Sequence, residues 1–271
     1  MDRLELAKII ENMPFDEYLA YDAIDQTGLK NIAISPKYYK AWKGKAKDTK
    51  ALKFGRAFHM AILEHERFMN TYIVAPEIDK RTKEGKIAYT EFEIRAHNRE
   101  IISHEDMEML KAMADSVHHH APSMYLLEGS GINEVSLFWV DEETGLECKA
   151  RIDRLRDDGF IIDLKTTEFA KPENIINESW KYMYRMQDAF YCDGYKAIKG
   201  EYPKGSGFIF VEKKLPYDAC ATLSHEELRR LGKESCRKHL ETYARCKVTD
   251  TWPGYADDEV IVLTPPAWVK L

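Results

Sequence analysis

The sequence is short of the residues that break chains into flexible parts. Its 271 residues include only 14 glycines and 10 prolines, and no Gly-, Pro- or Ser-rich linker, low-complexity tract or internal repeat is visible, so one folded domain is expected. No apolar run approaches the ~20 residues of a membrane span. The opening Met1-Asp2-Arg3-Leu4-Glu5 carries acids and lacks the apolar core of a signal peptide, so a cytoplasmic protein with no membrane partner is expected. The five cysteines (Cys148, Cys192, Cys220, Cys236, Cys246) are scattered and form no C-x-x-C pair. That argues against a zinc ribbon or a disulfide framework and predicts buried free thiols. Positive charge is also lacking: the net charge is −6, which argues against a protein that coats nucleic acid over its whole surface.

Positive charge is instead concentrated locally. Residues 37–56 hold Lys37, Lys40, Lys43, Lys45, Lys47, Lys50, Lys53 and Arg56 against a single acid, Asp48, and a weaker cluster follows at Lys80, Arg81, Lys83 and Lys86. A phosphate-binding groove leaves this kind of asymmetry, and so does a solvated lysine-rich surface. The candidate DNA-contacting cations are Lys45, Lys47, Lys50, Arg56 and Arg81, with Lys149 and Arg151 beside a candidate acid.

With 44% hydrophobic residues the chain can bury a substantial core. It divides into a helical part at about 28–127 and a sheet-bearing part at about 128–271. Ser35-Pro36 reads as an N-cap followed by proline at the first helical position, and Thr49 as the cap of a helix carrying Phe54, Phe58, Ala61 and Ile62. Another helix is predicted from Ser103 to Val117, and Ser224-His225-Glu226-Glu227 fits a capping box opening a long last helix. Period-two patterns predict strands at Glu134–Val140, Leu146–Leu155 and Phe160–Lys165, then near 207–212, 217–223 and 259–263.

Folded as a meander, the first three strands place Glu134 across from Asp153 and Asp153 across from Asp163, on one face, with Lys165 two residues further on. Like charges opposed in a sheet repel, so three gathered carboxylates call for a counter-charge. A hard divalent cation, Mg²⁺ with Mn²⁺ as a substitute, suits carboxylates, water and phosphate oxygens. It would activate water and neutralise charge building on a phosphodiester, while Lys165 positions or deprotonates that water or stabilises the transition state. Asp153, Asp163 and Lys165 are therefore the candidate centre of a magnesium-dependent DNA nuclease. The pattern does not choose between one ion and two. The same residues could line a solvated sheet face, but Asp163 sits between Ile161-Ile162 and Leu164, an apolar setting that argues against it.

Gln187 and Tyr191 are spaced i, i+4 on a helix that could lie over these strands and touch substrate. His59, in Gly55-Arg56-Ala57-Phe58-His59, reads as packing or surface when taken alone. His118-His119-His120 point in different directions around a helix and read as surface.

The blocks Gly55–Glu64 (G-R-A-F-H-M-A-I-L-E), Ile73–Glu77 (I-V-A-P-E) with Arg81–Lys86 (R-T-K-E-G-K), Cys148–Asp153 (C-K-A-R-I-D), Asp163–Thr167 (D-L-K-T-T) and Gln187–Tyr195 (Q-D-A-F-Y-C-D-G-Y) together resemble the RecE (exodeoxyribonuclease VIII) family of the PD-(D/E)XK nuclease superfamily. The spacing of Trp252-Pro253 and Pro266-Ala267-Trp268 is similar too, so that the likeness spans roughly residues 28 to 268. The resemblance implies a fold of mixed α/β class, a central mixed sheet flanked by helices. It implies that His59, Asp153 and Asp163 bind metal and that Lys165 is catalytic. Glu134 matches an acid near the metal, and Gln187 and Tyr191 match the motif after the catalytic lysine. The implied activity is ATP-independent 5′→3′ digestion of linear duplex DNA from its ends, leaving 3′ single strands for a RecT-type annealing protein. The implied assembly is a homo-oligomeric ring, and the implied source a phage or prophage. Rival readings are a Cas4-like nuclease, which often holds an iron–sulfur cluster on four cysteines, a restriction-type endonuclease, and a DNA-end-binding module that has lost its chemistry.

Overall fold

Helix capping settles much of the first half of the chain. In the computed structural model, which describes residues 7–45 and 49–265, the elements begin with β1 (Lys8–Ile10), α1 (Phe15–Ala20), α2 (Gln26–Ile34), α3 (Pro36–Trp42), α4 (Lys50–Leu63), α5 (His65–Thr71) and β2 (Tyr72–Val74). They continue with α6 (Lys83–Arg95), β3 (Glu100–Ile102), α7 (His104–His119), α8 (Ala121–Leu127) and the strands β4 (Gly131–Val140), β5 (Glu147–Arg156) and β6 (Phe160–Thr167). Last come α9 (Pro172–Lys181), α10 (Tyr184–Lys199), β7 (Gly205–Glu212), β8 (Ala219–Leu223) and α11 (Glu226–Thr249). Ser35, Thr49 and Ser103 cap α3, α4 and α7, each side-chain oxygen accepting from a backbone N–H three residues on, as their sequence context predicts.

At α11 the cap moves by one residue. His225, not Ser224, stands at the N-cap, its Nδ1 accepting from Glu227 N, because the Ser224 hydroxyl donates instead to Asp188 Oδ1 at 2.9 Å. Residues 259–263, expected as a strand, are irregular. Val260, Val262 and Leu263 are exposed, and among the described residues no strand pairs with them to take their backbone hydrogen bonds. Strands β1, β2 and β3 were not anticipated; at three residues each they are too short to show a period.

The main sheet has the order β1-β4-β5-β6-β7-β8. Its β6–β7 pairing is parallel, joined by the crossover through α9 and α10, as a parallel pair requires. One core packs Val135, Leu137, Trp139, Ala150 and Ile152 under α10, α11 and α2; a second packs Ile162, Leu164, Ile209 and Val211 under α4, α7 and α8. Because β6 is covered on both sides, its apolar residues run on rather than alternate. The α10–α11 crossing is close: a Cβ on Gly232 would lie 1.9 Å from the Arg185 carbonyl oxygen, so no other residue fits there without shifting a helix.

The helical and sheet-bearing parts interlock. β1 forms one edge of the main sheet, and α3 is tied to the segment after α11 by Lys37 N donating to Pro253 O at 3.0 Å. Among the described residues no helix is long and apolar enough to cross a membrane.

Candidate active site

The hydrogen-bonded ladder between β5 and β6 pairs only Arg154 with Ile162 and Leu155 with Ile161. Continuing that register sets Asp153 across from Asp163, and the β4–β5 register sets Glu134 across from Asp153, the opposition the meander predicts. Glu134, Asp153, Asp163 and Lys165 reach one cavity, as the meander predicts, although the regular pleat breaks at this point. Val135 and Ile152 enter the core under α10. Asn133 instead sends its amide to the Leu63 carbonyl at the end of α4, 2.7 Å away, and Arg154 reaches Asn133 Oδ1 at 2.9 Å. Residues two apart in an unbroken strand share a face; here they do not. The break is at Glu134, whose φ is +50°, a conformation costing a non-glycine residue about 1–3 kcal/mol and typical of functional sites.

The backbone of Leu164 takes the place of the missing ladder. Its N–H donates to Asp153 Oδ2 at 2.7 Å, and its carbonyl lies 3.1 Å from His59 Nε2 on α4. With Nε2–H donating there, Nδ1 faces the acids, 3.4 Å from Asp153 Oδ1 and 3.6 Å from Glu134 Oε1. The ligand atoms of His59, Glu134 and Asp153 all lie within 4.8 Å of one another. Burial alone would lower the His59 pKa, but the Asp153 charge and hydrogen bonds to Asp153 and Glu134 raise it to about 10. Burial would likewise raise Asp153, yet His59, with the Lys165 charge and the Leu164 N–H, holds the carboxyl below its ordinary value.

Asp163 is held separately. Its Oδ1 accepts from Gln187 Nε2 at 2.5 Å, while the buried Oδ2 has no hydrogen bond and faces the Lys165 ammonium as an ion pair. Burial and the Asp153 charge push its carboxyl up to about 6. Gln187 Nε2 also donates to the Tyr191 hydroxyl, 3.3 Å away. Both residues are buried, at 2% and 6% exposure, so they steady Asp163 from α10 and leave only their edges to the cavity.

These residues line the floor of a cavity of about 540 Å³. Its walls include Phe15 and Tyr18 of α1, Arg56 of α4, Arg67 of α5 and Tyr184 of α10. The Phe15 ring centroid lies 5.7 Å from both the Arg56 and the Arg151 guanidinium carbons. Arg151 is further fixed by Glu134 Oε2 at 2.9 Å and by the Met13 carbonyl at 2.9 Å. Phe15, Tyr18 and Arg67 carried no signal in the sequence. Tyr184 could have been found, since 184, 187 and 191 continue one helical face.

The candidate DNA-contacting cations divide. Arg56 and Arg151 line the cavity. Lys149 does not: it is 4% exposed, and its ammonium donates to the carbonyls of Tyr18 at 2.7 Å, Leu19 at 3.3 Å and Tyr21 at 2.7 Å. Lys149 closes the C-terminus of α1 and is no DNA contact, because an ammonium that satisfies a helix end from within is unavailable to phosphate. Lys50 pairs with Asp106 at 3.3 Å and lines a different cavity. Lys45 and Arg81 are exposed, and Lys47 lies outside the described residues. His118 and His119 are exposed and His120 Nδ1 meets Ser123 Oγ at 2.7 Å; they do not converge.

The residues present fit a divalent cation. An imidazole nitrogen and carboxylate oxygens converge, and the opposite imidazole nitrogen is anchored on a backbone carbonyl as in many metal-bound histidines. His59 and Asp153, expected as ligands, are in the converging group; Glu134, expected nearby, is the third member, and Asp163 adjoins it through Lys165.

Residues 26–260 match a family model described as a PDDEXK-like domain of unknown function, DUF3799. No curated protein matches the chain. Among solved structures, the fold is similar to that of a "Putative exonuclease" from Eubacterium rectale, with a TM-score of 0.64 at 14% identity over 95% of this chain and 96% of that one. The crystal structure of SSO0001 aligns with a TM-score of 0.29 at 12% identity, over 76% of this chain and 96% of that one, too weak a likeness to carry an argument.

Proposed function

Because the chain belongs to the PDDEXK-like DUF3799 family, we propose that it is a metal-dependent exonuclease acting on the ends of linear double-stranded DNA. The observation that carries this reading is the convergence of His59, Glu134 and Asp153 beside the Asp163–Lys165 pair at a break in the sheet. His59, Glu134 and Asp153 would hold the cation, with the Asp163–Lys165 ion pair beside them. Once bound, the cation would lower the pKa of a water and neutralise charge on the phosphodiester.

The protein's own residues do the rest. Gln187 and Tyr191 fix the Asp163 carboxylate, and Asp163 in turn fixes the Lys165 ammonium beside the reacting phosphate. Lys165 steadies the attacking water and the charge on the non-bridging oxygens. Arg56 and Arg151 offer charge to the strand in the cavity, and Arg151 also prevents Glu134 from turning away. Burial of Asp153 and Asp163 keeps these electrostatic interactions strong.

Magnesium as the working ion, 5′→3′ polarity, a 3′ single-stranded product, a RecT-type annealing partner and a homo-oligomeric ring belong to the same reading, supported by the RecE-like sequence blocks. Digestion of linear duplexes labelled separately at the 5′ and 3′ ends, with and without Mg²⁺, tests it, with covalently closed circular DNA alongside. Early release of the 5′ label, full metal dependence and intact circles are expected. Cleavage of the circles would favour a restriction-type endonuclease.

A further inference from the structure

Lys30 belongs to none of the sequence blocks. Gln26 and Thr27, in the first turn of α2, line the cavity over the acids, and Lys30 follows one turn later on the same face of that helix. Its ammonium lies 5.5 Å from the centroid of the Tyr184 ring, and the Lys165 ammonium lies 5.3 Å from the same centroid. Both ammoniums thus lie within cation–π reach of one ring, and that ring lines the cavity. Lys30 is only partly exposed, and among the described residues it has neither a carboxylate partner nor a hydrogen bond. Asp25, the N-cap of its helix, accepts instead from Gly28 N at 2.7 Å.

Burial, then the neighbouring Lys165 charge, lower the Lys30 pKa to about 8, against the opposing pull of Asp163 and Asp25. Holding an unpaired ammonium near a second one disfavours the free protein, and an anion bound beside them relieves that repulsion. Nearby, Gln26 Nε2 donates to Thr27 Oγ1 at 3.1 Å, which leaves the Thr27 hydroxyl proton free to donate. An ammonium and a hydroxyl one turn apart, on a wall facing a phosphodiester-cleaving centre, match the oxygens of a phosphate.

We propose that Lys30, with Thr27 beside it, forms a phosphate subsite that holds the phosphodiester adjoining the scissile one, while Lys165 serves the scissile group. This assignment rests on the nuclease reading above. It gives α2 a role in setting where along the strand the cut falls.

The test uses the full chain with a divalent ion and duplexes in which one linkage at a time, on either side of the cut, is a neutral methylphosphonate. In the wild type, neutralising the adjoining linkage raises KM by roughly tenfold or more, the scale of one charge-assisted hydrogen bond. Lys30→Met raises KM for unmodified DNA by a similar factor and no longer responds at that linkage, while keeping its response at the others. Lys30→Arg restores most of the affinity, and an unchanged melting temperature in both variants shows that the fold is intact. An unaltered KM and linkage pattern in Lys30→Met overturns the subsite while leaving the nuclease reading standing. A wild-type chain that cuts no DNA with any divalent ion overturns that reading and the subsite together.

Discussion

Replacing His59 by alanine should separate two roles that the structure combines in one side chain. The imidazole bonds the Leu164 carbonyl through Nε2 and faces Asp153 and Glu134 with Nδ1. Losing the backbone hydrogen bond costs about 1 kcal/mol, and losing a charged contact to the buried Asp153 about 2 kcal/mol more. A deficit of about 3 kcal/mol should lower the melting temperature by roughly 6–12 °C in a chain of this size. Removing this histidine is therefore expected to cost stability as well as a candidate ligand. The decisive comparison is the effect of metal on melting. At one hundred times its dissociation constant, a bound ion stabilises the wild type by about 2.7 kcal/mol. With a ligand gone and affinity tenfold weaker, about 1.3 kcal/mol of that should vanish. Scanning calorimetry of both proteins across Mn²⁺ and Mg²⁺ titrations measures the two effects independently of activity. An undiminished metal-induced shift in His59→Ala would refute the ligand assignment and leave His59 as a buried ion-pair partner.

Asp163→Asn and Lys165→Met should each abolish cleavage without unfolding the protein, since both side chains face the cavity; end-labelled digestion beside circular dichroism checks this, and substantial turnover in either would contradict the mechanism. Reversing the charge of Lys45 and Lys50 together should weaken DNA binding if the basic run follows the strand, with the slope of log affinity against log salt falling by about 0.9 per lost phosphate contact; fluorescence anisotropy at several salt concentrations reads it, and an unchanged slope makes the run a solvated face. Burial alone would raise the Asp141 carboxyl, but hydrogen bonds from Arg237 and Thr144 outweigh it and hold the pKa below the ordinary value. A group depressed on folding stabilises the protein above its unfolded pKa of about 3.9 and loses that contribution as pH falls through the folded value. Asp141→Asn should accordingly lower the melting temperature at neutral pH and flatten its decline below about pH 4, whereas parallel pH profiles would show that the pair adds nothing.

The sequence was most informative where one residue type has one local job. Ser35, Thr49 and Ser103 cap helices because a short hydroxyl side chain before an apolar repeat has few other uses. The registers that oppose Glu134, Asp153 and Asp163 follow from two turns and a period of two. What the sequence could not display was anything set by a partner far along the chain. Lys149 looks like a phosphate contact beside Asp153 until α1 is placed over it; the order of residues gives no hint that three carbonyls at 18–21 will claim its ammonium. Ser224 fails as a cap for the same reason, since Asp188 takes its hydroxyl. Phe15 and Tyr18 enter the cavity wall from a six-residue helix too short to announce which face it buries.

The apolar residue within Asp163-Leu164-Lys165 also acquires a reason. Alternation sends Asp163 and Lys165 toward the cavity and the Leu164 side chain into the core under α4, where it is 1% exposed. That packing fixes the Leu164 backbone, and the backbone is what binds Asp153 through its N–H and His59 through its carbonyl. A polar residue at 164 would loosen both contacts without touching either acid. The strand thus couples the hydrophobic core to the site across a single peptide unit. For that unit to be free, the β5–β6 ladder must end before it, and it does end, at Arg154 and Ile162. The left-handed backbone of Glu134 and the shortened ladder are therefore two sides of one requirement: the sheet gives up regular pairing at the point where its backbone groups are needed to hold the ligands.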